Sequence, residues 1–148
     1  MSKRPPNRSG PPPAPRCPDM SPGRIGVDIV PVARVRELVE PSLRRMLSEV
    51  ELHELSTKGG IDVVGVAGRI AAKEAVFKLF HAAGQPVPWL TTEILNGPGG
   101  WPSVRLHGRA AALADSAGIG EIAVSITHDG AYAIAVATAD QADQEGTT

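Results

Sequence analysis

The sequence predicts an α+β fold in which helices pack on a largely antiparallel sheet. Residues 24–30, RIGVDIV, alternate like a strand. Residues 121–138, EIAVSITHDGAYAIAVAT, hold two β runs about Asp129-Gly130, a favoured two-residue hairpin turn. Between them, residues 66–82 read as a helix that is apolar on nearly every side, the mark of a buried helix.

The remaining elements follow in order. In the first strand Ile25, Val27 and Ile29 face one way, and Gly26, Asp28 and Val30 the other. Pro31 suits a first helical position, and Val32, Val35, Leu38 and Val39 recur at helical spacing, predicting a helix over 31–40 that Pro41 ends or bends. Residues 42–55 predict one or two short helices, and the Ser48 to Glu51 spacing fits a capping box. Residues 56–66 read as a loop, and Gly84 stands where the buried helix should close. TTEIL and PSVRL flank NGPGG and predict a second hairpin. GRAAALADSAG, 108–118, predicts an Ala-rich helix closed by Gly118. In the strand that follows, Ile122, Val124, Ile126 and His128 share one face. The order is β-α-α-α-β-β-α-β-β.

Of the 148 residues, 1–23 hold more than half of the 14 prolines and almost no large apolar side chain. This stretch reads as a disordered or polyproline-type tail, and it lacks the apolar region of a secretory signal. The globular domain is expected over 24–138, with 139–148 as a frayed end. Aromatic residues make up only 3% of the chain, so the core must be built from Ala, Val, Ile and Leu. Such a small aliphatic core points to subunit association. A net charge of −1 argues against a general nucleic-acid binder. The single Cys17 excludes a disulfide framework and a cysteine metal site. No apolar run reaches the roughly 18 residues of a membrane span. The expectation is a cytoplasmic domain.

The buried helix carries Arg69, Lys73, Glu74 and Lys78 within ten residues. Buried charges are costly unless they meet opposite charges or a metal. Glu74 could form an ordinary i,i+4 pair with Lys78, leaving Asp28 as a turn or cap residue. Alternatively, Asp28 and Glu74 together could hold a magnesium ion that keeps several waters and meets substrate phosphates. Arg69 and Lys73 lie one turn apart and could grip a phosphate, or extend to solvent at the helix edge. His128, at a strand end before a turn, could reach a cleft.

Taken together, GVDIV at 26–30, GRIAAKEAVFK at 68–78 and VSITHDGAYAIAVA at 124–137 resemble the holo-[acyl-carrier-protein] synthases, the short, single-copy phosphopantetheinyl transferases. The family pattern is G-[ILV]-D-[ILV], then R-[FIW]-x-x-K-E-[AS]-x-x-K, then V-S-[ILV]-[ST]-H, and the likeness spans about residues 24–138. The resemblance implies the 4′-phosphopantetheinyl transferase fold and transfer of 4′-phosphopantetheine from coenzyme A to a serine of an apo carrier protein. The by-product would be 3′,5′-adenosine bisphosphate. By this resemblance Asp28 and Glu74 are magnesium ligands, and Glu74 is also the candidate base. Lys78 stabilises the leaving group. Lys73 lies near the phosphates, and Arg69 and His128 contact coenzyme A. Arg34 faces an acidic carrier, and Arg36, Arg44 and Arg45 add positive charge on the first helices. The family forms homotrimers with the cofactor between subunits, so Asp28 and Glu74 would belong to a different subunit from His128.

The chain departs from the family at several points. FHAAG replaces F-G-T-G, which sets His81 and Ala82 in a cofactor loop. GWP replaces G-K-P, so Trp101 stands in place of a lysine, exchanging a basic group for an aromatic surface. Asp129 follows His128 where Ser or Thr is common, and Pro31 replaces a common Glu. The proline-rich tail is extra. These changes motivate a competing expectation, a non-catalytic carrier- or coenzyme A-binding subunit of a larger synthase.

Overall fold

The computed structural model describes residues 23–142. The expected tail lies outside them, apart from Gly23. The elements are β1 (Arg24–Pro31), α1 (Val32–Arg36), α2 (Glu40–Met46), α3 (Glu49–Leu55), β2 (Ser56–Thr57), β3 (Gly60–Ile61), α4 (Val63–Leu79), β4 (Thr92–Asn96), β5 (Pro102–Leu106), α5 (Gly108–Ser116), β6 (Ile119–Asp129) and β7 (Tyr132–Gln141). A short 3-10 turn, Trp89–Thr91, leads into β4. The main sheet has the order β1-β7-β6 and is antiparallel throughout. β2–β3 and β4–β5 are separate hairpins. This is the expected α+β class.

Small side chains bring α4 down onto the sheet. Ala133, Ala135, Ala137 and Ala139 of β7 all point inward and are buried, as are Ala67, Ala71, Ala72 and Ala75 of α4. At Gly26 the approach is closest, for a β-carbon there would lie 2.0 Å from the Ala75 carbonyl oxygen. Only glycine lets β1 pass this close. The contact sets Asp28, two residues on, beside the C-terminal half of α4.

Several local expectations shift. The helix predicted over 31–40 stops at Arg36, and Pro41 opens α2 instead of closing a helix, because the first helical turn needs no proline N–H. The capping box at Ser48 and Glu51 forms as expected. Residues 56–61 pair as a miniature hairpin, and Asp62 caps α4 by accepting from Gly65 N, so the helix starts earlier than residue 66. At its other end the left-handed residue is His81, with φ 49°, next to the cap at Phe80. Gly84 is left-handed as well but lies farther on. Asp129 pairs with Tyr132, so the hairpin loop is Gly130-Ala131, one residue later than predicted. β7 continues to Gln141, and Ala139 pairs with both Arg24 and Ile122, so the sheet runs past the expected boundary at 138.

Three of the apolar side chains of β1 face away from the core. Gly26 and Val30 are buried against α4, while Ile25, Val27 and Ile29 are 70%, 53% and 54% exposed. Ile134 and Val136 of β7 continue the same outer surface.

Candidate active site

Asp28 on β1 and Glu74 on α4 converge. Lys78 joins them, its Nζ donating to Asp28 Oδ1 at 3.0 Å and to the Val27 carbonyl at 2.6 Å. The i,i+4 partnership of Lys78 with Glu74 gives way to this cross-element pair. Asp28 Oδ2 is buried and accepts no hydrogen bond. The Glu74 carboxyl lies within hydrogen-bonding reach of Asp28. Burial first, and then the Asp28 carboxyl, push Glu74 up to about 7, against the weaker pull of Arg34 and Lys78. The two half-buried carboxyls face each other, with Lys78 on Asp28 and Arg34 near Glu74 as positive neighbours. Among the described residues no cluster of three or more His, Cys, Asp or Glu forms. A cation held here would take its other ligands from water and phosphate oxygens, which is how magnesium is usually bound. The donor set fits that ion.

Arg34 is exposed on α1, close enough to Glu74 for its charge to act there. It stands at the lip of the acidic pair.

Arg69 and Lys73, expected to grip a phosphate together, part company. Lys73 is wholly buried and spends all three of its protons internally. They go to Met46 O at 2.7 Å, Trp89 O at 2.7 Å and Glu51 Oε2 at 2.6 Å. Burial pulls its pKa down, and Glu51 opposes that pull. Lys73 is therefore a framework residue in this structure. Arg69 donates to Ile94 O, to Glu54 Oε2 at 2.8 Å and to Asn96 Oδ1 at 3.3 Å, which fixes its guanidinium on the wall of a cleft.

That cleft holds about 600 Å³ and lies between α4, the β4–β5 turn and the end of β6. Arg69 and His128 both line it. Leu55, Val64, Gly68 and Ile126 give it apolar walls, while Glu54, Asp62 and Asn96 supply acceptors. Glu54 and Asp62 are contributions that the motifs did not reveal. Within one chain the cleft and the acid pair lie apart. Asp28 sits on β1 at one edge of the main sheet, and His128 on β6 at the other.

Residues 24–137 match the family model of the 4′-phosphopantetheinyl transferase superfamily. The chain belongs to this superfamily. Within it, the chain is a holo-[acyl-carrier-protein] synthase family member and so an enzyme. Holo-[acyl-carrier-protein] synthase of Desulforudis audaxviator is 39% identical over 123 residues, covering 78% of this chain and 90% of the relative. That of Beutenbergia cavernae is 37% identical over 119 residues, covering 79% and 97%. Among solved structures, Helicobacter pylori holo-[acyl-carrier-protein] synthase in complex with coenzyme A superposes with a TM-score of 0.67 at 30% identity, over 79% of this chain and 100% of that one. The Chronobacterium ammoniagenes synthase–coenzyme A complex gives 0.68 at 31% identity, over 82% and 98%. This phosphopantetheinyl transferase keeps Asp28, Glu74 and Lys78 together in space, and among its described residues no helix is long and apolar enough to cross a membrane.

Proposed function

We propose that this phosphopantetheinyl transferase moves 4′-phosphopantetheine from coenzyme A to a serine of an acidic apo acyl or peptidyl carrier protein in the cytoplasm, releasing 3′,5′-adenosine bisphosphate, and that it needs magnesium. The observation that carries this reading is the meeting of Asp28 and Glu74, one oxygen orphaned, beside a half-exposed Lys78. Asp28 and Glu74 would hold the ion, which would offset charge on the pyrophosphate as it reacts. Glu74, ionised beside the magnesium it would share with Asp28, would take the serine proton directly or through a water. The serine Oγ forms a bond to the phosphorus that bears the pantetheine arm. The bond from that phosphorus to the bridging oxygen breaks, and the electron pair leaves with adenosine bisphosphate. Lys78, anchored by Val27 O and Asp28, places a positive charge at the leaving phosphate. Arg69 and His128 hold the cofactor's nucleotide end, and Arg34 meets the carrier.

A homotrimer completes this site. The two halves lie at opposite edges of one sheet, and the outer face of that sheet exposes Ile25, Val27, Ile29, Ile134 and Val136. A contiguous apolar surface of this kind marks an association face. A neighbouring copy would bring its own β1 edge to the cleft of the first, and the number three comes from the family likeness. Val27→Glu is expected to yield monomers by light scattering and to lose transfer. A fully active monomer would refute the assembly.

The decisive experiment is the mass change of an apo carrier incubated with coenzyme A, magnesium and the enzyme. Glu74→Gln should abolish that change while the protein still unfolds cooperatively. Full transfer by Glu74→Gln would sink the assignment. The competing reading, a binding subunit without catalysis, predicts no release of adenosine bisphosphate by the wild type.

A further inference from the structure

We propose that the cleft accepts a nucleotide end without the 3′-phosphate as readily as one with it, so that this transferase also uses 3′-dephospho-coenzyme A as donor, and that Glu54 is the residue that sets this tolerance. The inference rests on the reading given above, with coenzyme A as substrate and its nucleotide end in the cleft.

The charges of the cleft carry it. Two carboxylates, Glu54 and Asp62, line the cleft against one guanidinium, Arg69, so the lining is net negative while His128 is neutral. Nor is Arg69 free to grip a phosphate. Its Nη2 donates to Glu54 Oε2 at 2.8 Å and to Asn96 Oδ1 at 3.3 Å, and its Nη1 donates to Ile94 O. A guanidinium holds two oxygens of one phosphate through a pair of adjacent N–H groups, and every such pair includes an Nη2 proton. Both Nη2 protons are already spent. The charge is balanced as well, by an ion pair whose two side chains are largely buried and so little screened.

The acids are held in place. Glu54 Oε2 also accepts from Asn96 N at 3.1 Å, so this carboxylate of α3 ties α4 to β4 at the cleft wall. Asp62 accepts from Gly65 N at 3.0 Å through Oδ1 as the cap of α4. A β-carbon on Gly65 would come within 2.5 Å of Asp62 Oδ2, so the glycine leaves room for the second carboxylate oxygen.

A ribose 3′-phosphate brings about two negative charges to these acids. A free 3′-hydroxyl brings a proton donor that a carboxylate accepts. Dinucleotide sites make the same choice, a carboxylate for a ribose hydroxyl and an arginine for a phosphorylated ribose. Asp28, Glu74 and Lys78 serve the pyrophosphate, which both donors share. The reaction balances in the same way with either. The serine Oγ bonds to the phosphorus that bears the pantetheine arm, and the serine proton passes to Glu74. The bond from that phosphorus to the bridging oxygen breaks, and the electron pair leaves on adenosine 5′-monophosphate in place of the bisphosphate.

The test is transfer to one apo carrier, read by mass, with magnesium and either coenzyme A or 3′-dephospho-coenzyme A, at about pH 8, where an ordinary imidazole is neutral. The proteins are the wild type, Glu54→Gln, Asp62→Asn and Glu49→Gln, each checked for an unchanged melting temperature. The quantity read is the ratio of kcat/KM for the two donors. In the wild type the two values should agree within about fivefold. Glu54→Gln keeps an acceptor for Arg69 but removes a charge, and should shift the ratio toward coenzyme A about tenfold, the order expected of one unit charge a few ångströms away. Asp62→Asn should shift it the same way. Glu49→Gln removes an equal charge from an exposed position outside the cleft and should leave the ratio unchanged. A larger wild-type preference for coenzyme A would overturn the proposal and leave the transferase reading standing. An unmoved ratio in Glu54→Gln would overturn it too, as would an unmoved ratio in Asp62→Asn should Glu54→Gln fail to fold. An equal shift in Glu49→Gln would do the same, by showing that net charge and not the cleft decides. Absence of turnover with either donor would refute the transferase reading itself, and this inference with it.

Discussion

Two lysine–carboxylate pairs sit on α4, only five residues apart, and they differ in one respect. Lys73 and Glu51 are both wholly buried, and every donor and acceptor is used. Glu51 Oε2 accepts from Ser48 N and Lys73, and Oε1 accepts from Ile94 N. Lys78 and Asp28 look alike in charge and distance, yet Asp28 Oδ2 has no partner, Lys78 is half in solvent and Glu74 is pushed up to about 7. The first pair is closed and can only hold the fold. The second is open, and an open, charged cluster with a perturbed acid is what a reaction centre requires. Sequence spacing set Lys73 beside Arg69 and Lys78 beside Glu74; completeness of the hydrogen bonding separates the two lysines.

The largest effect expected is in the closed pair. Lys73→Met would strand the Glu51 carboxylate in the interior, and breaking a buried pair from one side costs about 3–5 kcal/mol. For a domain of this size that approaches its whole stability. Lys78→Met, made at a half-exposed position, should cost less stability than Lys73→Met and yet slow transfer. Urea unfolding and transfer rates measured on both variants would sharpen the contrast. It would break if Lys73→Met folded as stably as the wild type but failed to bind coenzyme A, because Lys73 would then be the phosphate ligand that the sequence pattern suggested.

A smaller effect is expected from pH, and its sign distinguishes the open pair. Burial first, then Asp28, raises Glu74 from 4.5 to about 7 in the folded protein. Between those values the unfolded chain releases a proton that the folded chain keeps. The unfolded state then binds fewer protons, so metal-free stability falls as pH rises through this window. Below it both states are protonated and Glu74 contributes nothing. Magnesium, which favours the ionised carboxyls, should flatten the fall, and Glu74→Gln should remove it. Melting temperatures between pH 4.5 and 7.5, with and without magnesium, would show this. Identical curves for wild type and Glu74→Gln would mean that the acids do not share an unfavourable site.

The contrast also marks how far the sequence could be read. Alternation on β1 separated Gly26, Asp28 and Val30 from the outward triplet, and the motif on α4 selected Glu74 and Lys78. What spacing could not supply was the partner from another element. Lys73 is closed by Glu51, 22 residues earlier, and by Trp89, 16 later, through carbonyls and a carboxylate that no local pattern announces. Arg69 is likewise fixed by Glu54, Ile94 and Asn96. Local differences have local causes. Pro41, expected to end or bend a helix, is as much at home in a first turn, and pairing of Asp129 with Tyr132 moves the hairpin loop on by one from Asp129-Gly130. The exposed outer face of β1 showed in the sequence only as Ile25, Val27 and Ile29 facing one way.

The smallest effect is expected from a third kind of pair, on the surface of α2. Arg44 meets Glu40 at 2.9 Å and Glu49 at 3.1 Å, and all three side chains are more than half exposed. Exposed pairs of this sort contribute about 0–1 kcal/mol, so Arg44→Ala should scarcely move the unfolding midpoint. The same geometry bears on the carrier. Two carboxylates flank Arg44, so its charge is largely spent before an acidic partner arrives. Arg34 stands beside Glu74, and a divalent ion bound there would leave its charge uncancelled. Arg34→Ala should therefore raise KM for the carrier severalfold at low salt, an effect that shrinks as salt screens it, while Arg44→Ala leaves KM nearly unchanged. Equal losses for the two would show that net charge on the helices, and not an open arginine beside the acid pair, draws the carrier in.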